Sequence, residues 1–173
     1  MTSYHSHSSD KKVRALVEEL KAGKDIALIS DAGTPGISDP AWSLIKAARE
    51  EEITIIPVPG PAAFLAALSG SGLPMDKFTY LGFVPAKKGR QKLFKSILDE
   101  TRTVALYESP HRILKTLVLM ADILGPDRKI VLARELTKVH ETFHRGTIAQ
   151  LQEEFADKAP KGEIVLLIAP ANF

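Results

Sequence analysis

Apolar positions recur along the chain in two rhythms, and the switches between them mark out alternating helices and strands. Residues 10–20 place Val13, Leu16, Val17 and Leu20 on one helical face, with Gly23 just beyond the end. Residues 26–29 form a short, wholly apolar run that predicts a buried strand. A turn containing Gly33, Thr34, Pro35 and Gly36 follows. Asp39 and Pro40 then suit the N-cap and first turn of a helix over residues 41–49. Residues 53–58 are apolar and β-branched and predict the next strand. Residues 61–68 are rich in small residues and predict a helix able to pack tightly, and residues 70–74 look like a hinge.

The second half repeats the alternation. Strands are predicted over residues 78–84, 104–107, 129–133 and 163–168, with a short antiparallel one over 143–146. Residues 90–98 predict a helix with Leu93, Phe94, Ile97 and Leu98 as its apolar stripe. Ser109 and Pro110 are expected to cap a helix carrying Ile113, Leu114, Leu117, Val118 and Ala121. Thr147 and Gln150 have the spacing of a capping box for a helix bearing Ile148, Leu151 and Phe155. The whole pattern argues for an α/β protein of two lobes, residues 1–72 and 73–173.

Composition narrows the function classes. At 173 residues and 45% hydrophobic content, the chain can bury a core. It contains no cysteine, which removes disulfides and thiolate zinc sites and is compatible with a reducing cytoplasm. No uncharged apolar run approaches the ~20 residues of a membrane helix, so no membrane role is expected. The net charge is only +2. A case for nucleic acid therefore rests on local charge.

One such stretch is AKKGRQK at residues 86–92, which Lys95 extends along the next helix. A charge run of this kind is either a solvated face or a phosphate-contact patch. ESPHR at 108–112 puts a carboxylate, an imidazole and a guanidinium at a strand end. RELTKVHE at 134–141 puts a second such set on a loop. These sets suit either a structural ion-pair network or proton handling and substrate positioning. His5 and His7 form an HxH pair read as a surface feature; with His140 and His144 they lack the carboxylate spacing of a metal site, and no metal is expected. Trp42, early in its helix, is expected to pack.

The ordered set LISDAGTPGISDP (28–40), PVPGPAAFLAAL (57–68), YLGFVP (80–85), ALYESPHR (105–112) and ARELTKVHETFHRGT (133–147) closely resembles the tetrapyrrole-methylase-like class of S-adenosyl-L-methionine (SAM) methyltransferases. Within that class it resembles the members that methylate a ribose 2′-hydroxyl of small-subunit ribosomal RNA. The GxGxxG fingerprint of ordinary dinucleotide folds is absent. The resemblance implies a two-lobed α/β fold and a cytoplasmic homodimer that binds SAM. Its implied reaction is 2′-O-methylation of a cytidine in the decoding region of 16S ribosomal RNA. The partner would be that RNA or the assembled small subunit. A tetrapyrrole methyltransferase, or a non-catalytic RNA-binding remnant, are the alternatives.

The resemblance also assigns positions. Gly33, Thr34, Pro35 and Ile37 would meet the methionine part of SAM. Ala62 and Ala63 would lie beside the cofactor, Tyr107 near the adenine, and Ala169 would offer a backbone hydrogen bond to it. The RNA set is Lys87, Lys88, Arg90, Lys92, Lys95, Arg112 and Arg134. Glu108, His111, Glu135 and Lys138 are candidates to accept or screen the hydroxyl proton. The family's opening strand and its Gly-Thr-Pro-Ile-Gly-Asn-Leu-like loop have no counterpart here, and SYHSHS at 3–8 resembles a loop met inside its first lobe. The expectation is a first lobe truncated at its N-terminus, with a bare sheet edge and weak or undetectable activity.

Overall fold

The structure, a computed structural model, describes residues 1–5, 8–158 and 160–173; His7 of the HxH pair lies outside these. The chain divides into two compact units, Met1–Ala62 and Ala63–Phe173. This division precedes the expected boundary after residue 72. The reason is that the helix following it packs on the sheet of the second unit, with Phe64, Ala67 and Leu68 buried.

The first unit holds α1 (Asp10–Lys21) and α2 (Trp42–Glu50). Ser9 caps α1, its side chain accepting from the Lys12 amide. Val13, Leu16 and Val17 meet Leu44 of α2, with Tyr4, Ile26, Ala47 and Ile53 around them. The Tyr4 and Ser43 hydroxyls hydrogen-bond at 2.6 Å, and Lys21 pairs with Glu51 at 2.9 Å.

Several expectations for this unit are corrected. Residues 26–29 and 53–58 lie in no strand. Neither has a ladder partner among the described residues, and an extended run without one is not a strand. Ile29, Ile56 and Val58 are 74%, 80% and 79% exposed. The helix expected from Asp39 and Pro40 begins later, at Trp42, with Ala41 as an N-cap that makes no side-chain cap bond. Trp42 does not pack; it is 76% exposed, with the Lys46 ammonium 5.9 Å from the centre of its ring.

The second unit holds α3 (Ala63–Ser71), β1 (Phe78–Phe83), α4 (Arg90–Ser96), β2 (Thr103–Glu108), α5 (Ile113–Leu124), β3 (Lys129–Arg134), β4 (Thr142–Thr147), α6 (Ile148–Glu154) and β5 (Ile164–Ile168). One five-stranded sheet runs in the order β1-β2-β5-β3-β4. Only β1 and β2 pair in parallel; the other neighbours are antiparallel. Register aligns Leu106, Leu166 and Leu132 across three strands, and Val104, Ile168 and Ile130 beside them. These side chains share a face, since successive residues alternate sides. With Phe94, Ile113, Leu117, Met120, Ile148 and Leu151 they form the core under α4, α5 and α6. The opposite face is covered by α3. The capping box at Thr147 and Gln150 is complete in both directions.

Two smaller expectations also change here. Ser109 and Pro110 make a turn before α5, whose N-cap is Arg112. Gly70 and Ser71 belong to α3 rather than to a hinge, and Arg145 donates to both of their carbonyls, at 2.6 and 3.1 Å. That guanidinium satisfies carbonyls the helix end would otherwise leave unpaired.

Candidate functional site

In the first unit, the turn after residue 32 is clasped to the PGP segment. The Thr34 hydroxyl donates to the Pro61 carbonyl at 2.8 Å, and the Ile37 amide donates to the Thr34 carbonyl at 3.2 Å. Gly33 and Gly36 have φ of 77° and 85°, which favours glycine at both. Gly60 allows the two segments to touch, because a Cβ there would lie 2.9 Å from the Thr34 hydroxyl. Gly33, Thr34, Pro35, Ile37 and Ala62 are thus brought into one small assembly. The backbone N–H groups of Gly33, Thr34 and Gly36 make no hydrogen bond among the described residues, so the turn presents three free donors. Unpaired amides on a loop of this kind can bind a carboxylate or another anion.

In the second unit, Ala63 opens α3, and the Tyr107 phenol oxygen accepts from the Phe64 amide at 3.4 Å. Tyr107 stands in an aromatic strip. Phe64 and Tyr80 stack at 4.1 Å between centroids, and Tyr107 meets Tyr80 at 5.7 Å and Phe83 at 5.2 Å. Ala169 is buried just past β5, and its amide already donates to the Lys129 carbonyl at 3.0 Å. Its N–H is therefore not available to a ligand.

Glu108 is the most enclosed carboxylate of the expected set, with a fully buried side chain. Its Oε1 accepts from the Ser109 amide at 2.6 Å and faces the Arg112 guanidinium at 2.5 Å. Its Oε2 accepts from the Thr116 hydroxyl at 2.6 Å and lies 3.7 Å from Arg90. Arg90 in turn donates to Thr116, and Arg112 donates to the Val84 carbonyl at 3.1 Å. Both carboxylate oxygens are thus engaged, and a buried charge persists only when paired in this way. Glu108 holds two arginines in place.

The 134–141 loop is braced just as thoroughly. Glu135 accepts from the Glu163 amide at 2.9 Å and from Lys138 at 3.1 Å, and Lys138 reaches Glu163 at 2.9 Å. The Glu163 amide, and then Lys138, hold the Glu135 carboxyl below its ordinary range. Glu163 and Glu135 raise the Lys138 ammonium. Arg134 donates to Thr142, Lys161 and His140. Glu135 and Thr137 hold φ of 52° and 66°, and Gly162 beside them, with φ of 88°, favours glycine and leaves room for the Glu135 carboxylate. Among the described residues, the His111 side chain alone of the four proton-handling candidates has no hydrogen bond or ion pair.

The basic set sorts by residue type. Arg90, Arg112 and Arg134 bind the protein itself. Lys87, Lys88, Lys92 and Lys95 are exposed and make no ion pair among the described residues. His144 pairs with Glu154 at 2.6 Å. Sequence reasoning missed Thr116, Gly162 and Phe83. Thr116 was signalled by a hydroxyl on the apolar face of α5 between Ile113 and Leu117; nothing in the pattern flags Gly162.

Comparison with known proteins places this arrangement. The family described as Tetrapyrrole (Corrin/Porphyrin) Methylases matches residues 2–152. A protein of Synechocystis sp. named ribosomal RNA small subunit methyltransferase I is 48% identical over 171 residues, covering 98% of this chain and 61% of that protein. Its namesake in Thermotoga maritima is 40% identical over 169 residues, covering 98% and 76%. The chain thus spans about three fifths of the first relative's length and three quarters of the second's. The crystal structure of the methyltransferase CobJ superposes with a TM-score of 0.67 at 22% identity, covering 93% of this chain and 71% of that one, which establishes the fold. The chain belongs to the tetrapyrrole methylase family, alongside the ribosomal RNA small subunit methyltransferase I proteins.

Proposed function

We propose that this chain is a SAM-dependent methyltransferase acting on the 2′-hydroxyl of a cytidine ribose in small-subunit ribosomal RNA. The observation that carries the reading is the 48% identity, over 171 residues, to a protein named for that RNA. Two features of the geometry support it. The free amides of Gly33, Thr34 and Gly36 suit the carboxylate of the methionine part of SAM. The four unpaired lysines at positions 87, 88, 92 and 95 suit a polyanion. When bound, SAM supplies an electrophilic methyl group on a positively charged sulfur. The chain's own residues then have distinct tasks. The amides of the 33–36 turn hold the carboxylate end. Glu108 and Thr116 orient Arg90 and Arg112. His111 is the candidate left free to accept the ribose hydroxyl proton, because its side chain is unengaged among the described residues. The lysines gather phosphates.

Fold alone also admits a tetrapyrrole as the acceptor. The unpaired lysine strip favours RNA. A homodimeric state and a cytoplasmic location rest on the resemblance alone.

The experiment has two arms. Gly33→Val adds a β-branched side chain at a φ of 77°. Calorimetry should show SAM binding lost in a chain that still melts cooperatively. Reversing Lys87, Lys88 and Lys92 together to Glu should weaken binding to ribosomal RNA. It should also flatten the salt dependence by about 2 in log–log slope. Unchanged SAM affinity in folded Gly33→Val removes the cofactor assignment, and matching salt slopes remove the RNA patch.

A further inference from the structure

The edge strand β1 carries a bulge that changes which face its last residues present. Register pairs Tyr80 with Ala105 but Phe83 with Tyr107, so three steps on β1 oppose two on β2. Gly82, with φ of 68°, sits inside the bulge. In unbroken alternation, Phe78, Tyr80, Gly82 and Val84 would share one face. The bulge reverses this parity. Val84 turns into the core beside Leu106, and its amide donates to the Tyr107 carbonyl at 2.9 Å. Phe83 returns to the face of Phe64, Tyr80 and Tyr107, where it meets the Tyr107 ring at 5.2 Å. The inner rings of this strip are buried or half-buried, whereas Phe83, at its end, is 59% exposed.

We propose that Phe83 is a stacking platform for an unpaired base of the RNA substrate, with Lys87 and Lys88 contacting the adjoining phosphates. This inference rests on the RNA reading above. An aromatic ring beside unpaired lysines is the combination that binds single-stranded nucleic acid, because every base offers a π-face and every nucleotide a phosphate. Phe83 and Lys87 are only four positions apart, so their Cα atoms lie within about 14 Å of each other. The lysines point to a nucleotide rather than to SAM as the occupant. SAM carries no phosphate, and its sulfonium gains nothing from neighbouring ammonium groups. The bulge supplies the aim: with regular alternation Phe83 would face the helices and the core.

The test measures binding of a fluorescently labelled single-stranded ribosomal RNA oligonucleotide to the full chain. Variants are Phe83→Ala, Phe83→Leu and Phe83→Trp, with Lys87 and Lys88 reversed to Glu as a separate variant. SAM affinity is followed by calorimetry. Phe83→Ala and Phe83→Leu should lose roughly 5- to 150-fold in RNA affinity with the salt slope kept, and Phe83→Trp should hold it. Three results overturn the proposal while leaving the RNA reading intact. One is wild-type affinity in all Phe83 variants while the lysine variant weakens. Another is full rescue by leucine, which would make the contact apolar packing. The third is loss of SAM binding with RNA binding unchanged, which would place Phe83 on the cofactor wall. Wild-type chain that binds no RNA removes the RNA reading, and this proposal with it.

Discussion

Two apolar runs in this molecule look alike and end differently. Residues 164–168 read IVLLI and residues 53–58 read ITIIPV. The first is β5, a central strand with β2 and β3 on its two sides and every residue buried. The second joins no ladder and leaves Ile56 and Val58 in solvent. The difference is not propensity, since both are rich in β-branched residues. Pro57 lacks the amide a ladder needs, and among the described residues no strand lies alongside. An apolar run is thus only a candidate strand, and its partners decide the outcome. The same lesson separates the charged residues. The arginines of the basic set found partners inside the protein, and among the described residues the lysines did not.

The largest expected effect tests how far the second unit depends on its buried polar centre. Glu108→Ala leaves Arg90 and Arg112 without their carboxylate, and should cost about 3–5 kcal/mol in chemical denaturation. A cost under about 1 kcal/mol would mean that water reaches the arginines and that the site is looser than the geometry implies.

The next contrast sets one core against the other. Leu106→Ala empties a site that is closed on all sides, and should cost near the upper end of the 2–5 kcal/mol typical of such truncations. Leu16→Ala, in the small cluster of α1 and α2, should fall near the lower end because its surroundings can collapse around the gap. Hydrogen exchange should follow the same order, slow in β2, β3 and β5 and fast over residues 53–58. Equal protection in both runs would erase the distinction drawn above.

The smallest effect is a pH dependence confined to the second unit. Arg102 bonds the Glu100 side chain and holds its carboxyl near 2, against an ordinary value of 4.5. A depressed carboxylate contributes stability above its unfolded-state value and loses it as pH falls through its folded-state value. The stability difference between wild type and Glu100→Gln should therefore be constant above about 4.5 and vanish as pH approaches about 2. A constant difference down to pH 2 would remove the pair's role.

Much of the second unit was legible because its signals are local and agree. The Thr147 capping box and the apolar stripe of α5 each specify an element without reference to the rest of the chain. The first unit was less legible because strands there depend on partners that no local pattern encodes. Trp42 shows the same limit, since its position early in a helix says nothing about whether a neighbour will cover it. At the site, the resemblance supplied the residues but not their roles. That Glu108 is saturated, that Arg90 turns inward, and that Ala169 has spent its amide are properties of the folded arrangement. The bulge that aims Phe83 needed the register of β1 on β2.

The proposed reaction has one direct test. Labelled methyl from SAM is offered to small ribosomal subunits lacking the modification, and the RNA is digested to nucleosides. The account predicts label in 2′-O-methylcytidine. Label in no nucleoside, or on a base rather than a ribose, would contradict it.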